Sequence, residues 1–156
     1  MNVASTQFTL ATNSFEIYVA GCDGKCSDKC HNKELWDFKA GKPYEEYKQK
    51  IQRTLNDFDN LIDKVWILGG EPLLQPKKDL LDLIAFIRNN STKPIWVWTR
   101  FDEPYIPKDI FESVDFIKTG GYEEQLLCDD NIQYGVKLAS KNQKIIDTSE
   151  GRNLNG

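Results

Sequence analysis

The chain has 156 residues, 40% of them hydrophobic and 28% charged, with a net charge of −4, the size and composition of one globular domain. An acidic balance without a basic, aromatic-interleaved stripe argues against nucleic-acid binding. No apolar run approaches the roughly 20 residues of a membrane span.

The first residues, MNVASTQFTLATNS, hold no basic residue and no continuous apolar block, so no signal peptide is expected and the setting is read as cytoplasmic. Residues 15–20 (FEIYVA) form a β-branched and aromatic run stopped by Gly21, a predicted strand. A cysteine-bearing loop follows. Tyr47, Ile51, Leu55, Phe58 and Ile62 then recur at helical spacing and predict one buried face. Residues 64–68 (KVWIL) are a second strand, ending at Gly69-Gly70. Pro76 opens a helix whose buried face is Leu80, Leu83, Ile84 and Ile87, and Asn89-Asn90 closes it. Residues 95–99 and 114–118 are a third and a fourth strand, with a short helix over 107–113. The tail 148–156 is polar and expected to be loose.

Strands alternating with helices predict an α/β single domain over residues 1–156, built of βα units around a mostly parallel sheet, open or curled toward a partial barrel. Ligands of such sheets bind at the carboxyl ends of the strands. The cysteine loop, Gly69-Gly70-Glu71, Thr99-Arg100 and Thr119-Gly120-Gly121 each leave one such end, so the unusual residues share a rim.

Cys22, Cys26 and Cys30 are four residues apart. On one helix the first and last would be separated by roughly 12 Å, too far to hold one compact cluster. Gly21, Gly24, Asp23, Ser27 and Asp28 favour a loop, which can curl three thiolates around a centre. Three ligands leave one iron of a cubic cluster open to chemistry. The competing readings are zinc, with His31 or the distant Cys128 as fourth ligand, and three unligated thiols. Zinc sites favour two separated pairs, and adjacent residues such as Cys30 and His31 rarely reach one small ion. The cluster is therefore the favoured reading, and Cys128 is expected to be a half-buried free thiol. Trp66, Trp96 and Trp98 are expected to serve packing.

Several segments together resemble a known family. The cysteine loop with His31-Asn32, Glu34-Leu35-Trp36 and Gly41 is similar to the cluster loop of radical S-adenosylmethionine (SAM) enzymes, and more narrowly to the activating proteins of anaerobic (class III) ribonucleotide reductases. Gly69-Gly70-Glu71-Pro72 resembles the GGE motif that binds the SAM amino group in that superfamily. Trp98-Thr99 stands at the family's Tyr-Thr-Gly turn, Asp115 to Tyr122 resembles its D-Y-I-K-x-G-P-Y stretch, and Ser140 to Gln143 its S-x-N-Q. The chain departs in three places: one extra residue between Cys26 and Cys30, Arg100 at the turn glycine, and only Ala11-Thr12-Asn13-Ser14 where the family has an N-G-P-G-like segment.

The resemblance implies a partial (βα) barrel of the radical SAM type. It implies a [4Fe-4S] cluster held by Cys22, Cys26 and Cys30, with SAM bound among Gly69, Gly70, Glu71, Pro72, Thr99, Lys118, Asn142 and Gln143, and no catalytic side chain beyond the cluster ligands. The implied reaction is reductive SAM cleavage that leaves a glycyl radical on the catalytic subunit of an anaerobic ribonucleoside-triphosphate reductase, with electrons from a donor such as a flavodoxin. From the residues themselves, Glu71 either accepts from an ammonium or fixes its loop, and Asn142 and Gln143 either serve the site or cap a turn. The alternatives are another small radical SAM enzyme acting on a small molecule, and a non-catalytic metal-binding module.

Overall fold

The side chains of the central strands alternate between two chemically different surfaces, and that alternation organises the molecule. The structure is a computed structural model and describes residues 1–25, 30 and 32–153. Cys26, Ser27, Asp28, Lys29, His31 and residues 154–156 lie outside the described residues, and with them the expectations for Cys26 and His31.

In chain order the regular elements are β1 (Asn2–Thr9), β2 (Ser14–Val19), β3 (Lys42–Pro43), α1 (Lys48–Asp57), β4 (Lys64–Gly69), α2 (Lys77–Asn90) and β5 (Ile95–Trp98). They continue with α3 (Lys108–Ser113), β6 (Phe116–Thr119), β7 (Ile132–Gln133), β8 (Val136–Lys137), β9 (Lys144–Asp147) and α4 (Thr148–Asn153). Seven strands make one sheet in the order β3-β1-β2-β4-β5-β6-β9. Its centre, β2, β4, β5 and β6, is parallel, and β1 and β9 flank it antiparallel. The fold is thus mixed α/β, and the four strands expected from sequence are its parallel centre.

Each βα unit steps one strand in the same direction. Right-handed crossovers then put all three connecting helices on one face, with α2 packed beside both α1 and α3. Phe15, Ile17, Val19, Val65, Ile67, Ile95, Val97 and Ile117 point to that layer and meet Ile51, Leu55, Leu80, Leu83, Ile87 and Ile110. Burial of each such aliphatic side chain contributes about 1.5–3 kcal/mol. The intervening residues face away from the helices. Trp66, Trp96, Trp98 and Phe116 cluster there with Val136, Leu138 and Ile145, which makes the tryptophans packing residues as expected. Nearer β1 the same face is polar: buried Glu16 accepts from Thr9 and Tyr18. Burial and the Glu16 carboxylate push the Tyr18 hydroxyl up to about 12.

Three expectations change. Phe58 was placed on the buried face of the first helix, but α1 ends at Asp57 and Phe58 is 51% exposed; the Asn- and Asp-rich sequence favours a turn there. The fourth strand starts at Phe116 because the Asp115 carboxylate takes the Ile95 N–H (2.8 Å) and the Arg88 guanidinium. The tail is not loose from Thr148. This residue is fully buried, its hydroxyl donates to Val114 O (2.6 Å), and a short helix continues to Asn153.

Candidate functional site

The carboxyl ends of the parallel strands open into a cleft of about 200 Å³. Cys22, Cys30, Gly69, Gly70, Glu71, Thr99, Arg100, Lys118 and Gln143 all line it. The topology accounts for this convergence. Parallel neighbours end side by side, so residues 22, 69–71, 99–100 and 118 meet although up to 96 positions separate them. Pro72 is buried and Asn142 half-buried, and neither is among the lining residues. Cys128 is a free, half-buried thiol that also lies off the cleft wall.

The glycine pair is required by the protein backbone. Gly69 has φ +123°, and a Cβ there would stand 2.5 Å from Val19 O. A Cβ on Gly70 would stand 2.4 Å from Gly21 O and 2.8 Å from Leu35 O. The strand-end turn of β4 therefore packs directly on the root of the cysteine loop. Glu71 N–H donates to Gly21 O (2.8 Å), Gly70 N–H to Val19 O (2.9 Å), and Gly21 N–H to Leu35 O (2.8 Å). Gln75 adds a side-chain tie: its Nε2 donates to Ala20 O, Gly21 O and Glu71 O at 3.0–3.2 Å.

Glu71 is 2% exposed and engaged by the protein itself. Its Oε1 accepts from Thr99 Oγ1 (2.6 Å) and Leu73 N–H (3.0 Å), and Oε2 accepts from Arg100 N–H (2.9 Å). The geometry favours loop fixing over capture of an ammonium. Burial pushes the carboxyl above its ordinary value of 4.5, against the lowering effect of those three donors. Replacing Glu71 with Ala strands the three donors, and we expect a loss of about 3 kcal/mol in urea unfolding. The folded chain holds the Glu71 proton more tightly than the unfolded chain does. Its contribution to stability therefore declines as pH rises from 4.5 through the raised folded value. Glu71→Gln has no such proton and should remove that slope from the stability–pH curve, whereas an unchanged slope would assign it elsewhere.

On the far wall Lys118, 8% exposed, donates to Gly120 O (2.6 Å) and lies 5.9 Å over the Trp98 ring. Gln143 is mainly a brace. Its Oε1 accepts Ala139 N–H and Ser140 N–H, and its Nε2 donates to Gly120 O. Asn142 Nδ2 donates to Gly121 O (2.8 Å), while its buried Oδ1 has no partner. Both amides thus hold the Gly120-Gly121 turn, the capping alternative of the sequence reading. Sequence reasoning did not single out Gln75 or Asp23, because their bonds run to groups far along the chain.

The donor set suits an iron–sulfur cluster. Cys22 and Cys30 present thiols to one cleft, the ligand type such clusters take. Each sulfur also accepts a backbone N–H at 3.4 Å, from Gly24 and Asn32 respectively, the kind of contact that stabilises thiolate charge and tunes a cluster.

Comparison with known proteins agrees with this chemistry. The family model described as a 4Fe-4S single cluster domain matches residues 13–146. Among characterised proteins, the chain is 28% identical over 118 residues to the anaerobic ribonucleoside-triphosphate reductase-activating protein of Pasteurella multocida (strain Pm70), a match covering 69% of this chain and 73% of the relative.

Proposed function

Because the chain belongs to the family of 4Fe-4S single cluster domains, we propose that it is a radical SAM enzyme that activates an anaerobic ribonucleotide reductase by raising a glycyl radical on it. The observation that carries this reading is the convergence of the cysteine loop with the ends of β4, β5 and β6 on one cleft. The relative's printed role, activation of a ribonucleoside-triphosphate reductase, supports the partner. The mostly parallel sheet with its connecting helices on one face supports reading the fold as a partial barrel.

Cys22, Cys26 and Cys30 would hold the cluster, and the Gly69-Gly70-Glu71 turn, Thr99, Lys118 and the Gly120-Gly121 turn would border SAM. When bound, the cluster would supply the single-electron chemistry that reductive cleavage of SAM requires. The chain's own residues do the rest. Glu71 rigidifies the β4 and β5 ends against each other, Lys118 ties the far wall to the Gly120 carbonyl, and Trp98 gives an apolar surface that excludes water. The electron donor would be a small reductant protein such as a flavodoxin, in a cytoplasmic, reducing setting.

The relative's printed role favours a macromolecular substrate. A reductase loop carrying the glycine would complete the wall.

The anaerobically reconstituted protein alone is expected to cleave SAM slowly. With reductant, SAM and the cognate reductase, a glycyl-radical signal should appear on the reductase by electron-spin resonance and deoxynucleotide formation should follow. A reductase with that glycine changed to alanine should still bind but acquire no signal. SAM cleavage without a radical on any reductase of the same genome would replace this reading with a small-molecule substrate.

A further inference from the structure

Arg100 is the residue at the cleft whose side chain reaches across to the cysteine loop. Its Nη2 lies 2.8 and 2.9 Å from the two carboxylate oxygens of Asp23, the residue after Cys22. The side chains are 17% exposed for Arg100 and 29% for Asp23, and the hydrogen bond between them lies at an exposed position. Arg100 itself is held fast. Its N–H donates to Glu71 Oε2 (2.9 Å), and its guanidinium carbon lies 4.5 Å over the Phe101 ring.

We propose that the Arg100–Asp23 pair is a clamp that sets the Cys22 limb of the cysteine loop before any cluster is bound, making Arg100 a positioning residue for cluster assembly and retention. The loop needs one. Gly21 and Gly24, with φ of +115° and +70°, flank Cys22 and Asp23, and glycines lose the most backbone freedom on ordering. Hydrogen bonds from Gly21 and Cys22 to Leu35 O and Trp36 O fix the root of the loop. Beyond Cys22 the described long-range contacts are the guanidinium on Asp23 and the Trp36 ring against Gly24; the other described contacts of Asp23 are local, to Lys25. A charge-assisted pair whose cation is already immobilised loses less side-chain freedom than one between two free side chains. The clamp links Cys22 through Asp23 and Arg100 to Glu71, so the cluster limb and the β4 and β5 strand ends move as one body. This inference rests on the cluster belonging to the cysteine loop and is independent of which partner receives the radical.

The test starts with the metal-free, reduced protein and measures hydrogen exchange at residues 22–25. Arg100→Ala and Asp23→Asn should each speed exchange there by about five- to tenfold, with the amides of β4 and β5 unchanged. Arg100→Lys should recover part of the protection, and the reciprocal pair Asp23→Arg/Arg100→Asp more of it. After anaerobic reconstitution, the first two variants should release iron to a chelator faster by a similar factor. Unchanged exchange at 22–25 in both single variants would overturn the clamp. So would an equal rise across β4 and β5, which would make Arg100 a general stabilising residue. The exchange readout is taken without metal, so it judges the clamp even if the parent takes up no cluster, a result that would count against the cluster alone.

Discussion

Alanine at Cys22 or at Cys30 is expected to abolish the cluster: iron and sulfide should fall from about four per chain to background, with loss of the reducible resonance signal. Both thiols line the cleft and both receive a backbone N–H. Cys128 is off the wall, and alanine there should leave iron content unchanged. On the ligand reading, Cys26→Ala should abolish the cluster as the Cys22 and Cys30 variants do. Because the buried cores lie in the sheet and helices, the cysteine variants should keep the parent's circular dichroism and urea midpoint. Stoichiometric zinc without sulfide in the parent would defeat the cluster reading outright.

Gly70→Val should behave differently, losing stability and cluster together. Even its Cβ would overlap Gly21 O and Leu35 O, both backbone atoms that no side-chain rotation can move aside. We expect a loss of about 3 kcal/mol or more in urea unfolding, and iron content near background, since the displaced backbone leads directly into Cys22. Gly70→Ala should show the same pair of effects at smaller amplitude. A Gly70→Val protein with parental midpoint and full iron would mean that the β4 turn does not pack on the loop. The contrast between the two kinds of variant separates losing a ligand from losing the scaffold that presents it.

The central strands were legible because each is a run of large β-branched or aromatic residues, buried on both faces, between glycines and turn residues. The helices were legible from their period. β1 was not, because only Val3 of its residues is buried and its remaining positions are polar or half-exposed, the pattern of a strand that β3 covers only at Asn2 and Val3. β9 is four residues long and apolar only at Ile145 and Ile146, too short to carry a period. At the site, the rim could be read from the rule that parallel strands present their ends together. The reason for Gly70 could not, because the backbone atoms a side chain there would meet, Gly21 O and Leu35 O, belong to distant parts of the chain. Arg100 stood out only as an unusual residue at a turn, since its partner lies 77 positions away. Thr148 looked like the start of a polar tail because hydroxyl bonds to Val114 O and Asp115 O leave no mark in composition.

From β2 onward, the main-sheet strands outside short β3 lie in space in the order in which they occur in the chain: β2, β4, β5, β6, β9. A ribosome adding about 5–20 residues per second would thus deliver each strand to an edge already waiting for it. Once Gln75 has emerged, the β2–β4 pair, the glycine turn and the amide tie to Ala20 and Gly21 are all available. The root of the cysteine loop has its support at the chain's midpoint, while Arg100 and Lys118 arrive later. Maturation then has a direction. A nascent chain stalled just past residue 75 would have the strand-end seat for its cysteines and lack the walls that shield them, so metal delivery during synthesis would meet a site open to solvent on the side of the strands still to come.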